Sequence, residues 1–340
     1  MDVSEKLRRG ADNVVQHVLQ VKQGERVALF ECEAARFRTV FRDAVRRAGG
    51  EPVEVDARDL ARSSEADATR ALADRLDGAV ASILCAEHGI PPALSMAVLA
   101  VASRAKLRHL HLTRIDERLF SQSYRADPLR IAKLNARVVE AIEAAGSLHA
   151  TSPAGTDVHI GVSSRNPLLS SDGRPSPGNP DNLPSGSVLF HPATVDGVFV
   201  ADRGALGAIR PDPAELRRHP LHVHLERGRA VRFESSDDDI AAMAREYAEQ
   251  HADATRVGIV AFPTNYVIRS ETRLEVQDAL LPGLNIILGF SHHRATRAPY
   301  QCPIQLRLFG RRLDVRAGEA ALVEQGRHAE ALAAEVDLFR

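Results

Sequence analysis

Hydrophobic and polar positions follow two different patterns along the chain. In the first, short apolar runs alternate with segments of helical period. Leu7, Val14, Val15, Val18 and Leu19 recur at helical spacing within 3–22, since residues three and four apart share one helix face. Gly24 breaks that period, and Arg26-Val-Ala-Leu-Phe-Glu31 reads as a strand buried on both sides. A helix over 34–48 ends at Gly49-Gly50, and 51–55 reads as a short strand. The rhythm continues with a helix over 66–76, a buried strand over 78–85, a helix over 91–105, a strand over 107–113 and a long helix over 127–145 ended by Gly146. Such alternation predicts a mostly parallel sheet covered on both faces.

The second pattern begins after about residue 150. Ser, Pro, Gly, Asn and Asp crowd 163–187, which is loop chemistry. Turn-separated apolar runs come next, at 187–190, 197–201, 221–226, 230–233, 257–261, 285–288 and 304–309, as in an antiparallel sheet. A helix is predicted over 237–251, with Asp237, Asp238 and Asp239 complementing the dipole of its first turn. A further helical period spans 319–337. The fold class predicted is an α/β domain with a mostly parallel sheet over 1–150, joined to an α+β domain with a mostly antiparallel sheet over 151–340. The expected pocket is the cleft between them.

Composition narrows the function. A 340-residue chain with 44% hydrophobic residues fits two packed domains. With 44 Lys and Arg against 45 Asp and Glu, no basic stripe argues for a nucleic-acid partner. No apolar run is long enough for a membrane span, and the first residues lack the apolar core of a signal segment. Cys32, Cys85 and Cys302 show no paired spacing, which fits buried thiols in a reducing cytoplasm. The turn Glu31-Cys-Glu-Ala-Ala35 offers two carboxylates where a dinucleotide phosphate needs open backbone amides, so no nucleotide cofactor is expected.

Several polar pairs sit at strand spacing. His222 and His224 share a face with Glu226, which suits either a metal or a solvent-facing histidine row, because Leu221, Val223 and Leu225 form the apolar alternate face. Asp157 with His159 reads as a structural hydrogen-bonded pair, and His109 with His111 as packed or exposed histidines. No Gly-x-Ser-x-Gly elbow is present, and Ser185-Gly-Ser187 is a turn signature.

Thr151-Ser-Pro-Ala-Gly-Thr-Asp157, Asn182-Leu-Pro-Ser-Gly-Ser-Val188, His224-Leu-Glu-Arg-Gly-Arg-Ala-Val231 and the closing stretch 285–315, in this order, resemble the aminopeptidase T-like metallopeptidases. They are also similar to the non-peptidase relatives of that group, the 2,5-dihydroxypyridine 5,6-dioxygenases. The resemblance implies metal ligands at positions where this chain has other residues. Ser187 stands at a glutamate ligand of the peptidases, and Arg256, before Val257-Gly258, at an iron-ligating histidine of the dioxygenases. Asn285 stands at a further histidine, His292 at a tyrosine, and Gln301 and Pro303 at a final His-x-Asp pair. Neither Gln nor Pro is a good ligand for zinc, cobalt or iron, and 285–309 contains no Asp or Glu.

These replacements lead to the expectation of a metal-independent, repurposed aminopeptidase T-like enzyme. It would act without a cofactor on a small polar or peptidic substrate, in specialised metabolism. Arg256 would grip an anionic group, with Glu271 or Glu275 as internal partners, or else cap a helix ending near Ala254. His292 and His293 would move protons unless their loop is simply solvated, and Arg294, Asn285, Gln301 and Ser187 would hold the substrate. Cys302, opposite Gln301 in the strand alternation, would pack inward. Two rivals stand beside this reading: a non-catalytic binding or scaffold protein, and a metal-dependent aminopeptidase or ring-cleaving dioxygenase with a displaced ligand set. Relatives in the resembling group form dimers, and the apolar C-terminal helix would serve a homodimer.

Overall fold

Alternate residues of Arg26–Glu31 feed two separate cores. Val27 and Leu29 point to one side with Ile83, Cys85, Leu110 and Leu112, and pack on Phe37, Phe41 and Phe120. Ala28 and Phe30 point to the other with Leu84, and pack on Leu72, Val98 and Val101. A strand buried on both faces has no polar alternation to show, hence the unbroken apolar run in the sequence. The computed structural model describes residues 3–32, 36–76, 78–207, 209 and 211–335. The expected phosphate-repelling turn falls partly outside these, at Glu33, Ala34 and Ala35.

The chain forms two compact units: Met1–Leu129 with Asp172–Ser185 and Thr272–Gln277, and Arg130–Ser171 with Gly186–Glu271 and Asp278–Arg340. The first unit holds a four-stranded sheet in the order Glu51–Asp56, Arg26–Glu31, Ala81–Ala86, Arg108–Thr113, parallel throughout. Helices Arg36–Arg47, Glu65–Ala73 and Pro92–Arg104 come after its first three strands in the expected rhythm. Ser64 caps the second of these by accepting from the Asp67 amide, a contact worth about 1 kcal/mol. On the edge strand, the buried His109 and half-buried His111 form a hydrogen-bonded row. Ser82 Oγ lies 2.8 Å from His109 Nδ1, His109 Nε2 lies 3.3 Å from His111 Nδ1, and His111 Nε2 lies 3.0 Å from Ser95 Oγ.

The second unit is built on two antiparallel sheets. One has six strands, in the order Gly204–Gly207, Gln305–Phe309, Asn285–Gly289, Val257–Pro263, Ser187–Phe190, Leu169–Ser171. The other has eight, in the order Arg229–Glu234, Leu221–Glu226, Thr194–Ala201, Asp157–Gly161, Ser147–Thr151, Asp314–Ala317, Ala320–Glu324, Arg327–His328. Val188, Phe190, Val260, Ile286 and Leu308 of the first pack in one core with Phe199, Val223 and Val315 of the second. Helices Pro128–Ala145 and Asp238–Glu249 add Leu134, Val138 and Tyr247 to it.

Two local readings change. The helical period of 319–337 resolves into a hairpin, Ala320–Glu324 with Arg327–His328, and only Glu330–Glu335 is helical within the described residues. Gln325 and Gly326, both at positive φ (50° and 73°), make the two-residue turn that ends the strand, the geometry such hairpins prefer. The strand expected over 304–309 runs Gln305–Phe309, so Gln301 and Cys302, read as alternating on a strand, lie in the connection before it. Cys302 nonetheless packs inward at 1% exposure while Gln301 is exposed, as the alternation implied.

Two measurements test this packing. Burial, reinforced by the neighbouring His111 for His109, lowers the pKa values of His109 and His111 to about 3 and about 4. The unfolded chain takes up these protons near pH ~6.5, so each histidine makes stability fall by about 1.4 kcal/mol per pH unit as pH drops below that value. The urea midpoint is therefore expected to decline between pH 7 and 5, and H109Q/H111Q to flatten the decline; an unchanged slope refutes the assignment. At Gly258, where the strand register shifts, an added Cβ would stand 2.2 Å from the carbonyl oxygen of Phe290. G258A is expected to lose about 2 kcal/mol or more in denaturant unfolding, and a neutral result would mean the strands part freely.

Candidate functional site

Site residues expected from the sequence lie at opposite ends of the six-stranded sheet. Ser187 opens its strand opposite Pro263, and Asn285 opens the next-but-one strand opposite Ala261 and Phe309. Arg256 precedes Val257, which pairs with Leu288 at the far end. His292, His293, Arg294 and Gln301 lie in the connection that leaves that far end at Gly289 and returns at Gln305. Four residue steps separate Asn285 from Gly289, about 13 Å along a strand. Ser187 and Asn285 therefore do not form one cluster with Arg256, the histidines and Gln301.

Arg256 has a different partner from those expected. Its Nε lies 3.0 Å from Asp253 Oδ1, and its guanidinium sits 4.8 Å above the Tyr300 ring. Glu275 pairs instead with Arg114, and Glu271 with Arg311 and Arg217. Since Asp253 is three residues before Arg256, the guanidinium is neutralised locally. Nearby, His191 donates through Nδ1 to the Gly258 carbonyl at 2.9 Å, and burial lowers its pKa. His292 is exposed and left-handed (φ 50°) at the start of the short helix His293–Thr296, with its ring 5.9 Å from that of Phe290. Arg294 and Gln301 are exposed and His293 is half-buried.

The near end of the sheet holds a charge that the sequence did not single out. Arg203 is 8% exposed. Its backbone amide donates to the Phe309 carbonyl, and its Nη2 lies 3.3 Å from Asn285 Oδ1. Asn285 donates in turn to the Ala279 carbonyl at 2.8 Å. Burial lowers the pKa of Arg203 to about 10, against the pull of Glu271, Asp278 and Asp202, so the guanidinium is charged at neutral pH. Beside it opens a cavity of about 630 Å³, lined entirely by the second unit. Nothing in Asp202-Arg203-Gly204 marks it out in one dimension; only the pairing of Gly204 with Phe309 carries it to Asn285.

A third cluster lies on the polar face of the eight-stranded sheet. His149 and His159 are directly opposite in register, and their rings stack at 4.0 Å and 5°. Asp157, two residues from His159 on the same face, has Oδ1 2.7 Å from His149 Nε2 and 3.9 Å from His159 Nε2. The expected Asp157 hydrogen bond is thus real, but its partner is His149. That bond, the largest influence, holds the Asp157 carboxyl below its usual range. Potential ligand atoms of the three residues lie within 4.8 Å of one another, the sole such group of three His, Cys, Asp or Glu found among the described residues. Reading 147–161 as a hairpin about Pro153-Ala-Gly155 would have paired the two histidines. His224, by contrast, is engaged by Glu234 at 2.7 Å and by Arg232, and lies with His222 away from the buried Leu221, Val223 and Leu225.

No described helix is long and apolar enough to cross a membrane. Comparison with known proteins places the chain. No curated protein matches it. Among solved structures, 2,5-dihydroxypyridine dioxygenase from Pseudomonas putida KT2440 aligns over 96% of this chain and 98% of its own, at 16% identity and a TM-score of 0.58. Wild-type AmpT from Thermus thermophilus aligns over 96% and 100%, at 18% identity and a TM-score of 0.63. Both share the fold. The NicX family model, 2,5-dihydroxypyridine 5,6-dioxygenase, matches residues 13–260. This match overturns the expectation of a metal-independent, aminopeptidase-like catalyst, because it falls on a family whose chemistry depends on a metal. A family model that spans more than half of the chain, on a fold shared along nearly all of it, makes this protein a member of the 2,5-dihydroxypyridine 5,6-dioxygenase family.

Proposed function

We propose that this protein is a metal-dependent oxygenase that opens the ring of a small hydroxylated heteroaromatic compound, with a metal-ligand set displaced from the positions the resemblance implied. The observation that carries the reading is the family match over residues 13–260. The implied positions themselves do not fit a divalent ion. Asn285 Oδ1 faces the charged, buried Arg203, Arg256 brings a second cation held by Asp253, and Gln301 and Pro303 supply neither imidazole nor carboxylate. A cation beside the ligand oxygen opposes a second cation there.

His149, Asp157 and His159 fit better. Two imidazoles and one carboxylate are the donor set of non-heme ferrous oxygenases, and here all three side chains converge from adjacent strands. These residues would hold the metal, which when bound supplies the activation of dioxygen. The chain's own part is to bring the donors together. The cross-strand register fixes the two rings opposite each other, the Asp157 carboxylate is ionised at neutral pH, and the proton that His149 Nε2 donates to it would have to leave before that nitrogen could ligate.

Protein loaded anaerobically with ferrous iron is expected to consume oxygen and bleach the ring absorbance of 2,5-dihydroxypyridine when air is admitted. Absence of both changes overturns the reading. D157N and H159A are expected to lower iron binding and turnover together by roughly tenfold or more. Full activity in both variants rejects this ligand set while leaving the family chemistry standing.

A further inference from the structure

The geometry points to the cavity beside Arg203 as a binding site for a small organic carboxylate. This inference goes beyond the oxygenase reading and does not depend on it. The starting fact is a charge imbalance: the lining contains five guanidiniums, those of Arg203, Arg217, Arg269, Arg311 and Arg312, and two carboxylates, those of Asp202 and Glu271.

The carboxylates are already engaged. Glu271 is gripped through both oxygens by Arg311, at 2.6 Å to Nε and 2.6 Å to Nη2, and is touched by Arg217 at 3.3 Å. Arg311 places its remaining Nη1 on the Asp202 carbonyl, and its backbone amide on the Asp202 carboxylate at 2.7 Å. One acid thus fixes two of the arginines at the rim, so that they frame the hollow instead of collapsing into it. A fork of this kind is rigid and directional.

Arg203 is the group that asks for a ligand. It is buried, it carries its charge, and its Nε has no hydrogen-bond partner. Asn285 takes only one of its N–H groups, and the Phe309 ring, 5.7 Å from the guanidinium, covers its face without accepting an N–H. A buried guanidinium is costly when its donors are unmet. A carboxylate entering the cavity would neutralise the buried guanidinium and accept from the donors it presents there, while Leu281 and Pro282 in the wall would contact an apolar or aromatic body. The same wall disfavours a bare phosphate, which has no apolar part to bury.

Titration calorimetry of the full chain with benzoate, benzamide and inorganic phosphate tests the inference. Benzoate is expected to bind saturably and more weakly as salt rises, and benzamide, its neutral isostere, to bind at least about tenfold more weakly. R203Q is expected to weaken benzoate by roughly tenfold or more, with R203K restoring part of the loss because it keeps the charge without the fork. Should R203Q fail to fold, the exposed pair R269Q/R312Q reads the same site. The inference is overturned if benzamide binds as well as benzoate, if phosphate binds in preference to it, or if folded arginine variants bind unchanged. None of these readouts involves iron or turnover, so failure here is separable from failure of the oxygenase reading.

Discussion

A guanidinium out of water must be solvated by the protein around it, and the polar groups at the near end of the six-stranded sheet gather around that requirement at Arg203. Its neighbours form a ladder of dependence. Asn285 faces it, Asp202, Asp278 and Glu271 favour its charge, and Arg311 ties Glu271 to the Asp202 backbone. Desolvation opposes Coulomb attraction within such a buried group, so the complete set adds little net stability, whereas losing one member is strongly destabilising. That burial still lowers the pKa of Arg203 indicates that desolvation exceeds the compensation present.

Much of the fold was legible in the sequence because its signal is local. Buried parallel strands betray themselves by unbroken apolar runs, and Arg26–Glu31 and Ala81–Ala86 both lie where those runs predicted. Antiparallel strands with one wet face betray themselves by alternation, as in Leu221–Glu226. Gln325-Gly326 was the misleading point, because a two-residue turn within an Ala-rich stretch leaves the helical period nearly intact. The candidate site was less legible. Its positions were fixed by correspondence with relatives, and correspondence along the chain says nothing of which end of a sheet a residue occupies. The antiparallel register sets Asn285 and Arg256 at opposite ends, a separation that correspondence cannot show. Arg203 and His149 acquire meaning only through partners brought to them by strand register, Phe309 and His159 respectively.

The contrast between the two histidine groups obeys the same logic. His109 is buried in the first unit and His111 half-buried beside it, where burial keeps both neutral and makes them structural hydrogen-bonding groups. His149 and His159 stand on a wet sheet face beside a carboxylate. Identical side chains on strands thus meet different surroundings, decided by which face of which sheet receives them.

The first unit's discontinuity bears on how the chain is made. Its edge strand Arg108–Thr113 exchanges backbone hydrogen bonds with Asp181, His111 donating to the Asp181 carbonyl and Asp181 to that of His109. Its core is completed by Leu183, Leu274 and Val276. A ribosome-bound chain that has emerged only to residue 129 therefore carries an open strand edge and an unfilled hydrophobic surface until much later segments arrive. An open edge and apolar surface of that kind invite mispairing with neighbouring chains, so the parallel half of this protein is complete only once residues up to Gln277 are present.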